Sequence, residues 1–188
     1  MTIIFNSVNP HEQAPAPLET PPAALPEDLR RTLDRSFVIR TTMTRRRSGG
    51  KRTVETTYTW NGRDRVYLSG YPGRRDWVAN MASNPSVVVT TVEGERCYEI
   101  PATALVLKNR NERVEHLLAF IERWAERPDF PRRRFAFLLG AIRLNRRFHL
   151  PWWGPFYLVR RILDRMPCVE LRFTGEPRLL EDDPPEPS

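Results

Sequence analysis

Apolar and polar positions alternate through the middle of the chain. Phe37, Ile39, Thr41 and Met43 occupy every second position, as do Val54, Thr56, Tyr58 and Trp60. That is the period of a strand turning one face to a core, so each run predicts a strand. Asn61-Gly62 follows and reads as a two-residue hairpin turn, because both central positions of a type I′ turn take positive φ. Residues 65–69 supply the returning strand. A second hairpin is predicted from the Val-rich run at 87–92, a Glu93-Gly94 turn and a strand at 96–100, with Pro101 breaking the ladder before another strand at 103–107. Residues 168–173 alternate once more. Six or seven short strands at hairpin spacing predict a mainly β protein with helices, of the α+β class. They form a small antiparallel barrel rather than a parallel doubly wound sheet.

Helical periodicity interrupts the strands. Residues 26–35 read as a short helix with acids in its first turn, where the helix dipole favours them. Residues 76–83 read as another, with Asp76 as N-cap and Asn84-Pro85 as its stop. In 111–127, Val114, Leu117, Leu118, Ile121, Trp124 and Ala125 follow i, i+3, i+4, i+7 spacing, opened by Asn111 and closed before Pro128. Two more helices are expected at 131–147 and 155–166, joined by an aromatic turn at 149–154. The ends differ in kind. Residues 1–25 form a Pro-rich tail and 176–188 an acidic Pro-rich tail, neither with enough apolar surface to order itself. One barrel domain is expected at 26–175, with a helical insertion at 108–166 before the last strand.

Length and charge sharpen this outline. A chain of 188 residues buries roughly two-thirds of its unfolded surface and needs neither disulfide nor structural metal. Cys97 and Cys168, and the scattered His11, His116 and His149, lack ligand spacing, so no metal site is expected and the cysteines read as buried structural thiols. The chain shows no basic region leading into an apolar stretch, and its longest apolar run, 135–142, is far below the roughly 18 residues of a membrane span. A cytoplasmic location is therefore expected, with peripheral contact at the inner face of the membrane as an extension. The net charge is +7, and only Lys51 and Lys108 among 30 basic residues are lysines.

That charge is concentrated in two blocks. Residues 40–75 hold ten basic and two acidic residues and 132–165 hold nine and one, a balance of +8 each inside an otherwise acidic chain. Each block reads as an anion site or as a solvated basic face. Within the first, Arg45-Arg46-Arg47-Ser48-Gly49-Gly50-Lys51-Arg52 lies on a turn between two predicted strands. There the glycines let backbone amides converge and the arginines and Ser48 add donors, which is what a phosphate needs. Arg74 and Arg75 precede the 76–83 helix, a second place where an anion is favoured. No carboxylate pair, Ser/His/Asp set or P-loop occurs, so no catalytic residue is singled out.

These two stretches together carry a resemblance. The Arg46-Arg47-Ser48-Gly49-Gly50-Lys51-Arg52 turn, the hairpin, and Trp77-Val-Ala-Asn80-Met-Ala-Ser-Asn84-Pro85 leading into a Val-rich strand resemble the deazaflavin-dependent nitroreductase and quinone reductase family. That family is built on the flavin-binding split β-barrel. The likeness covers about residues 36–107 and the strand from Cys168. It implies an 8-hydroxy-5-deazaflavin coenzyme, with FMN as the alternative flat cofactor, and hydride transfer to a quinone, nitroaromatic or activated alkene. It further implies that Arg46, Arg47, Ser48, Gly49 and Arg52 hold the cofactor's phosphate and acidic tail. Trp77 and Asn80 would then stand at the wall of the deazaflavin site and Ser69 and Gly70 contact the ring, Arg74 and Arg75 count as cofactor contacts through the anion site beside the helix start, and barrels of this kind pair as homodimers. Trp77 reads equally as a core anchor. A lipophilic small-molecule acceptor is the implied partner; the alternative of a different class is a non-catalytic basic module for nucleic acid or anionic membrane, of which nucleic acid is disfavoured because the first basic block coincides with the phosphate-type turn. The insertion reads as a lid or dimer element, as a surface for anionic membrane, or as a packed layer with snorkelling arginines.

Overall fold

A computed structural model describes residues 25–126, 132–149, 156–181 and 186–187. The chain runs α1 (Glu27–Arg35), β1 (Val38–Thr44), β2 (Lys51–Trp60), β3 (Arg65–Ser69), α2 (Asp76–Ser83), β4 (Ser86–Thr91) and β5 (Tyr98–Val106). It continues through α3 (Arg110–Ala125), α4 (Arg132–Phe148), α5 (Phe156–Arg165), β6 (Cys168–Phe173) and β7 (Arg178–Leu179). The pairing order β4-β1-β2-β3-β6-β5 closes on itself through β4–β5, giving a six-stranded antiparallel barrel, and β7 adds to β5 beyond the barrel. The α+β antiparallel barrel expected from the alternation, and the split barrel implied by the resemblance, match the architecture observed, with helices inserted before β6. The aromatic turn expected at 149–154 lies almost entirely outside the described residues.

Alternation explains why the barrel has an inside. Along β1, Ile39, Thr41 and Met43 are buried and their neighbours are not, and Val66 and Leu68 on β3 and Val169, Leu171 and Phe173 on β6 join them in one apolar core. Trp77 and Met81 on α2 and Leu29 and Leu33 on α1 complete it. A second apolar cluster lies outside the barrel. There Leu107 and Cys168 meet Leu117, Phe120 and Ile121 of α3, Ala141 and Ile142 of α4, and Val159 and Leu163 of α5. The insertion is therefore a layer packed on the outer face of the sheet.

Several local expectations are corrected. Asn61-Gly62 is not a two-residue type I′ turn: Gly62 has φ +80°, but Asn61 does not lie in the positive-φ region. The Asn61 side chain instead accepts from the backbone N–H groups of Arg63 and Arg65, at 2.9 and 3.0 Å. Such an Asx arrangement builds a four-residue loop. Pro101 does not break a strand, because β5 runs straight through it. Its carbonyl accepts from Thr174 N–H at 2.9 Å, and N–H and C=O of one residue point to the same side of a strand. The missing N–H thus faces Thr174, one residue beyond β6, so the bond is lost at the end of the ladder and not inside it. Asp76 is the first residue of α2 rather than its N-cap; Arg75 holds that place without a side-chain cap bond. Asn109, not Asn111, caps α3, its side chain accepting from Asn111 N–H. Cys97 is half-buried ahead of β5, while Cys168 is buried as expected. Arg178 and Leu179, in the stretch expected as a tail, pair with Glu99 and Tyr98.

Candidate functional site

The barrel opens along one seam. β2 pairs with β1 over residues 51–57, but with β3 only through Tyr58, Thr59 and Trp60. From Thr57 back to Lys51, β2 and the chain leaving β3 diverge, and that divergence creates an open cleft of about 520 Å³. Its walls are Arg52, Glu55, Thr56 and Thr57 on one side, Ser69, Gly70, Tyr71, Arg74, Arg75, Asp76 and Trp77 on the other, and Phe120 and Trp124 of α3 across them. A second, smaller cleft of about 220 Å³ adjoins it, lined by Arg45, Arg46, Arg47, Ser48, Arg52, Asp76 and Asn80. Arg52 and Asp76 belong to both, so the clefts meet at that pair.

The smaller cleft is a basic turn with a fixed backbone. Arg45 N–H donates to Gly50 O at 2.8 Å and Gly49 N–H to Arg45 O at 3.0 Å, which closes the turn, and Gly49 sits at φ +71°. A side chain there would be strained. Asn80, 95% buried on α2, accepts from Arg46 N–H through Oδ1 at 3.2 Å, tying the turn to the helix. Asn84 Nδ2 donates to Thr44 O at 3.4 Å from one turn further along. The backbone is held while the charges are not. Four arginines face one aspartate, and the one ion pair in the cleft, Arg46 to Asp76, is long at 3.8 Å and exposed. Arg45, Arg47 and Arg52 make no ion pair among the described residues. Such a concentration of unneutralised guanidinium forks attracts a polyanion.

The larger cleft combines charge at one end with aromatic surface at the other. Tyr71 meets Trp124 edge to face at 5.0 Å between centroids, and Trp124 meets Phe120 at 5.8 Å. Arg75 donates to Tyr71 O at 3.2 Å. Gly70 has no atom within 4 Å of where a Cβ would stand, leaving room for a flat group to approach the backbone. Ser69 is 4% exposed and donates its hydroxyl to Pro167 O at 2.7 Å. That proton is committed, so only its lone pairs and backbone remain to serve a ligand. Trp77 belongs to the barrel core with an edge on the cleft, which joins the two readings the sequence left open.

The structure thus gathers the expected site residues around one pair of joined clefts. Arg46, Arg47, Ser48, Arg52 and Asn80 line the basic part, Arg52, Ser69, Gly70, Arg74, Arg75 and Trp77 line the seam, and Gly49 shapes the turn. Sequence reasoning missed the aromatic wall. Phe120 and Trp124 lie four residues apart on α3, a spacing that reads as core. Only the packing of α3 across β2 brings them to the seam. Arg123 secures that crossing, donating to Asp34 O at 2.7 Å and to Ser36 O, with its guanidinium 5.5 Å from the ring centres of Phe37 and Tyr58.

No family model matches the chain, and no curated protein matches it. Solved structures do. A Bacteroides thetaiotaomicron protein, provisionally described as a 5-nitroimidazole antibiotic resistance protein, is 8% identical with a TM-score of 0.53, covering 80% of this chain and 82% of its own. A Listeria innocua protein provisionally described as a pyridoxamine 5′-phosphate oxidase is 11% identical with a TM-score of 0.51, covering 82% and 96%. The FAD and heme binding protein from Mycobacterium smegmatis is 16% identical with a TM-score of 0.51, covering 84% and 72%. At these identities the likeness is one of fold, and it agrees with the split barrel traced above.

Proposed function

We propose that the chain is an oxidoreductase that takes a deazaflavin coenzyme into the seam, with the anionic tail on the 45–52 turn, and reduces a lipophilic acceptor. One observation carries this reading: a basic cleft and an aromatic-walled cleft share Arg52 and Asp76. A flat head with a phosphorylated, acidic tail is the shape that uses both at once. The names of neighbouring folds point the same way at a coarser level, since one is an FAD and heme binding protein and another is provisionally described as a pyridoxamine 5′-phosphate oxidase.

The residues present fit such a group. Arg46, Arg47, Ser48 and Arg52 would hold the phosphate and acidic tail, Gly70 leaves its backbone open to the ring, and Trp77 offers an edge. When bound, the reduced coenzyme supplies a hydride from its ring carbon. Everything else falls to this chain. Asn80 holds the Arg46 backbone, so the turn that carries the tail-binding arginines is in place before the ligand arrives. Tyr71, Phe120 and Trp124 form an aromatic wall against which a quinone, nitroaromatic or activated alkene would pack. Arg74 and Arg75 place positive charge beside the open first turn of α2, where a developing anion on the acceptor is stabilised.

The test is a fluorescence titration of the full chain with deazaflavin coenzyme and, separately, FMN. Saturable binding of one deazaflavin per chain, weakened in Arg52→Ala, supports the reading. Binding of FMN alone moves the assignment to an FMN protein of the same fold. Binding of neither, with salt-sensitive binding to DNA instead, overturns the enzyme.

A further inference from the structure

The second basic block has a surface of its own. On α4, Ala141, Ile142 and Asn145 are buried against the neighbouring helices, while Phe137, Leu144 and Phe148 are 59%, 45% and 56% exposed. Seven and four residues apart, those three lie in one narrow stripe of a helix with 3.6 residues per turn. Arg143 and Arg147 are exposed beside the stripe, and Arg147 lies 5.5 Å over the Phe148 ring. The start of α5 continues the pattern, with Tyr157 and Leu158 60% and 56% exposed and Arg161 exposed one turn on. Five large apolar side chains on two successive helices thus face outward with exposed arginines between them.

The two helices are almost free of acidic residues. α4 contains none, and the single acid of α5, Asp164, is held in a two-bond pair by Arg110 at 2.7 and 2.8 Å. Arg143, Arg147 and Arg161 make no ion pair among the described residues. Chemistry of this kind selects its partner. A second copy meeting it across a two-fold axis would set arginines against arginines. A nucleic acid would leave the phenylalanines and leucines in water. A bilayer with anionic headgroups satisfies both components: arginines at the phosphates and apolar side chains below them. No described helix is long and apolar enough to cross a membrane, so the contact lies in the interfacial plane.

We infer that the outer face of α4 and the first turns of α5 form a docking surface for anionic lipid bilayers. It lies on residues different from those of the seam, so it stands or falls apart from the coenzyme reading. It is also tethered to that seam, because Gly73 N–H, in the loop that lines it, donates to Arg165 O at the end of α5 at 2.9 Å. A protein held by this face carries the seam close to the headgroups.

Flotation of the full chain with vesicles decides the matter, using phosphatidylcholine alone and phosphatidylcholine with an equal part of phosphatidylglycerol. Binding is expected to the mixed vesicles only. It should fall about tenfold or more in Phe137→Ser/Phe148→Ser and in Arg143→Gln/Arg147→Gln. All four side chains are exposed, so both variants should keep the wild-type melting temperature, which is measured alongside. Equal binding to neutral vesicles, or mixed-vesicle binding unchanged in both variants, overturns the inference. So does a dimer in light scattering that Phe137→Ser/Phe148→Ser turns into a monomer without any vesicle binding by the wild type.

Discussion

The two ends of β1 treat their polar groups differently. At the first end several strong donors have found acceptors inside the protein. Glu93 Oε2 takes the N–H groups of Phe37 and Val38 at 2.5 and 3.3 Å, Tyr58 OH donates to Leu33 O at 2.8 Å, and Tyr98 OH donates to Asp28 Oδ2 at 2.7 Å. Leu29 and Leu33 seal the barrel beneath them. At the other end the turn backbone is closed, yet Arg45, Arg47 and Arg52 are left without ion pairs. A polar cluster that satisfies itself contributes to stability. One that leaves charges unspent holds them for something outside the chain.

That contrast predicts which substitutions harm folding and which harm binding. Leu33→Ala should have the largest effect, about 2–5 kcal/mol of lost stability from a cavity at the sealed end. Its melting temperature should drop clearly while coenzyme affinity of the folded protein stays unchanged. Arg52→Ala is expected to do the reverse, weakening coenzyme binding about ten- to hundredfold for one lost charged hydrogen bond, with no drop in melting temperature. If Arg52→Ala unfolds the protein, the turn is structural and the contrast fails.

Smaller effects refine the picture. Glu93→Ala leaves two backbone N–H groups without their acceptor and should cost about 1–3 kcal/mol in denaturant unfolding, with Glu93→Gln recovering part of it. Alkali acts on a third place, the apolar layer outside the barrel. Burial pushes the Cys168 thiol from 9.0 up to about 12, so the folded protein holds that proton longer than the unfolded chain. Its contribution is intact below pH 9.0 and is lost as the pH climbs towards 12. That amounts to about 1 kcal/mol by pH 10, and Cys168→Ala should flatten this part of the pH–stability curve. Least of all, Arg31→Ala removes an exposed pair with Glu27 and should shift stability by about 0.5 kcal/mol or less.

Legibility in the sequence followed the range of the forces involved. The strand at 65–69, the helix at 76–83 and the closing strand at 168–173 are readable residue for residue, because alternation, 3.6 periodicity and the Asn84-Pro85 stop act within a few positions. The Asn61-Gly62 loop was misjudged for a related reason. The dipeptide suits a tight turn, but the Asn61 side chain competed for the backbone and won. Pro101 reads as a break because nothing local says which side of the strand has a partner. Whether its missing N–H matters depends on where β6 ends, some seventy residues later.

By itself the sequence determined β1 to β4 and β6, the order of the helices and the arginine turn between β1 and β2, since each rests on neighbours along the chain. Only the tertiary structure decided that β2 parts from β3 after three residue pairs, and that Asn80 reaches back to hold the Arg46 backbone. It also brought Phe120 and Trp124 over the seam and left Phe137, Leu144 and Phe148 facing out. Side chains at helical spacing look alike whether they meet a sheet, a ligand or a membrane. What distinguishes them is the packing of α3 and α4 on elements far away in sequence.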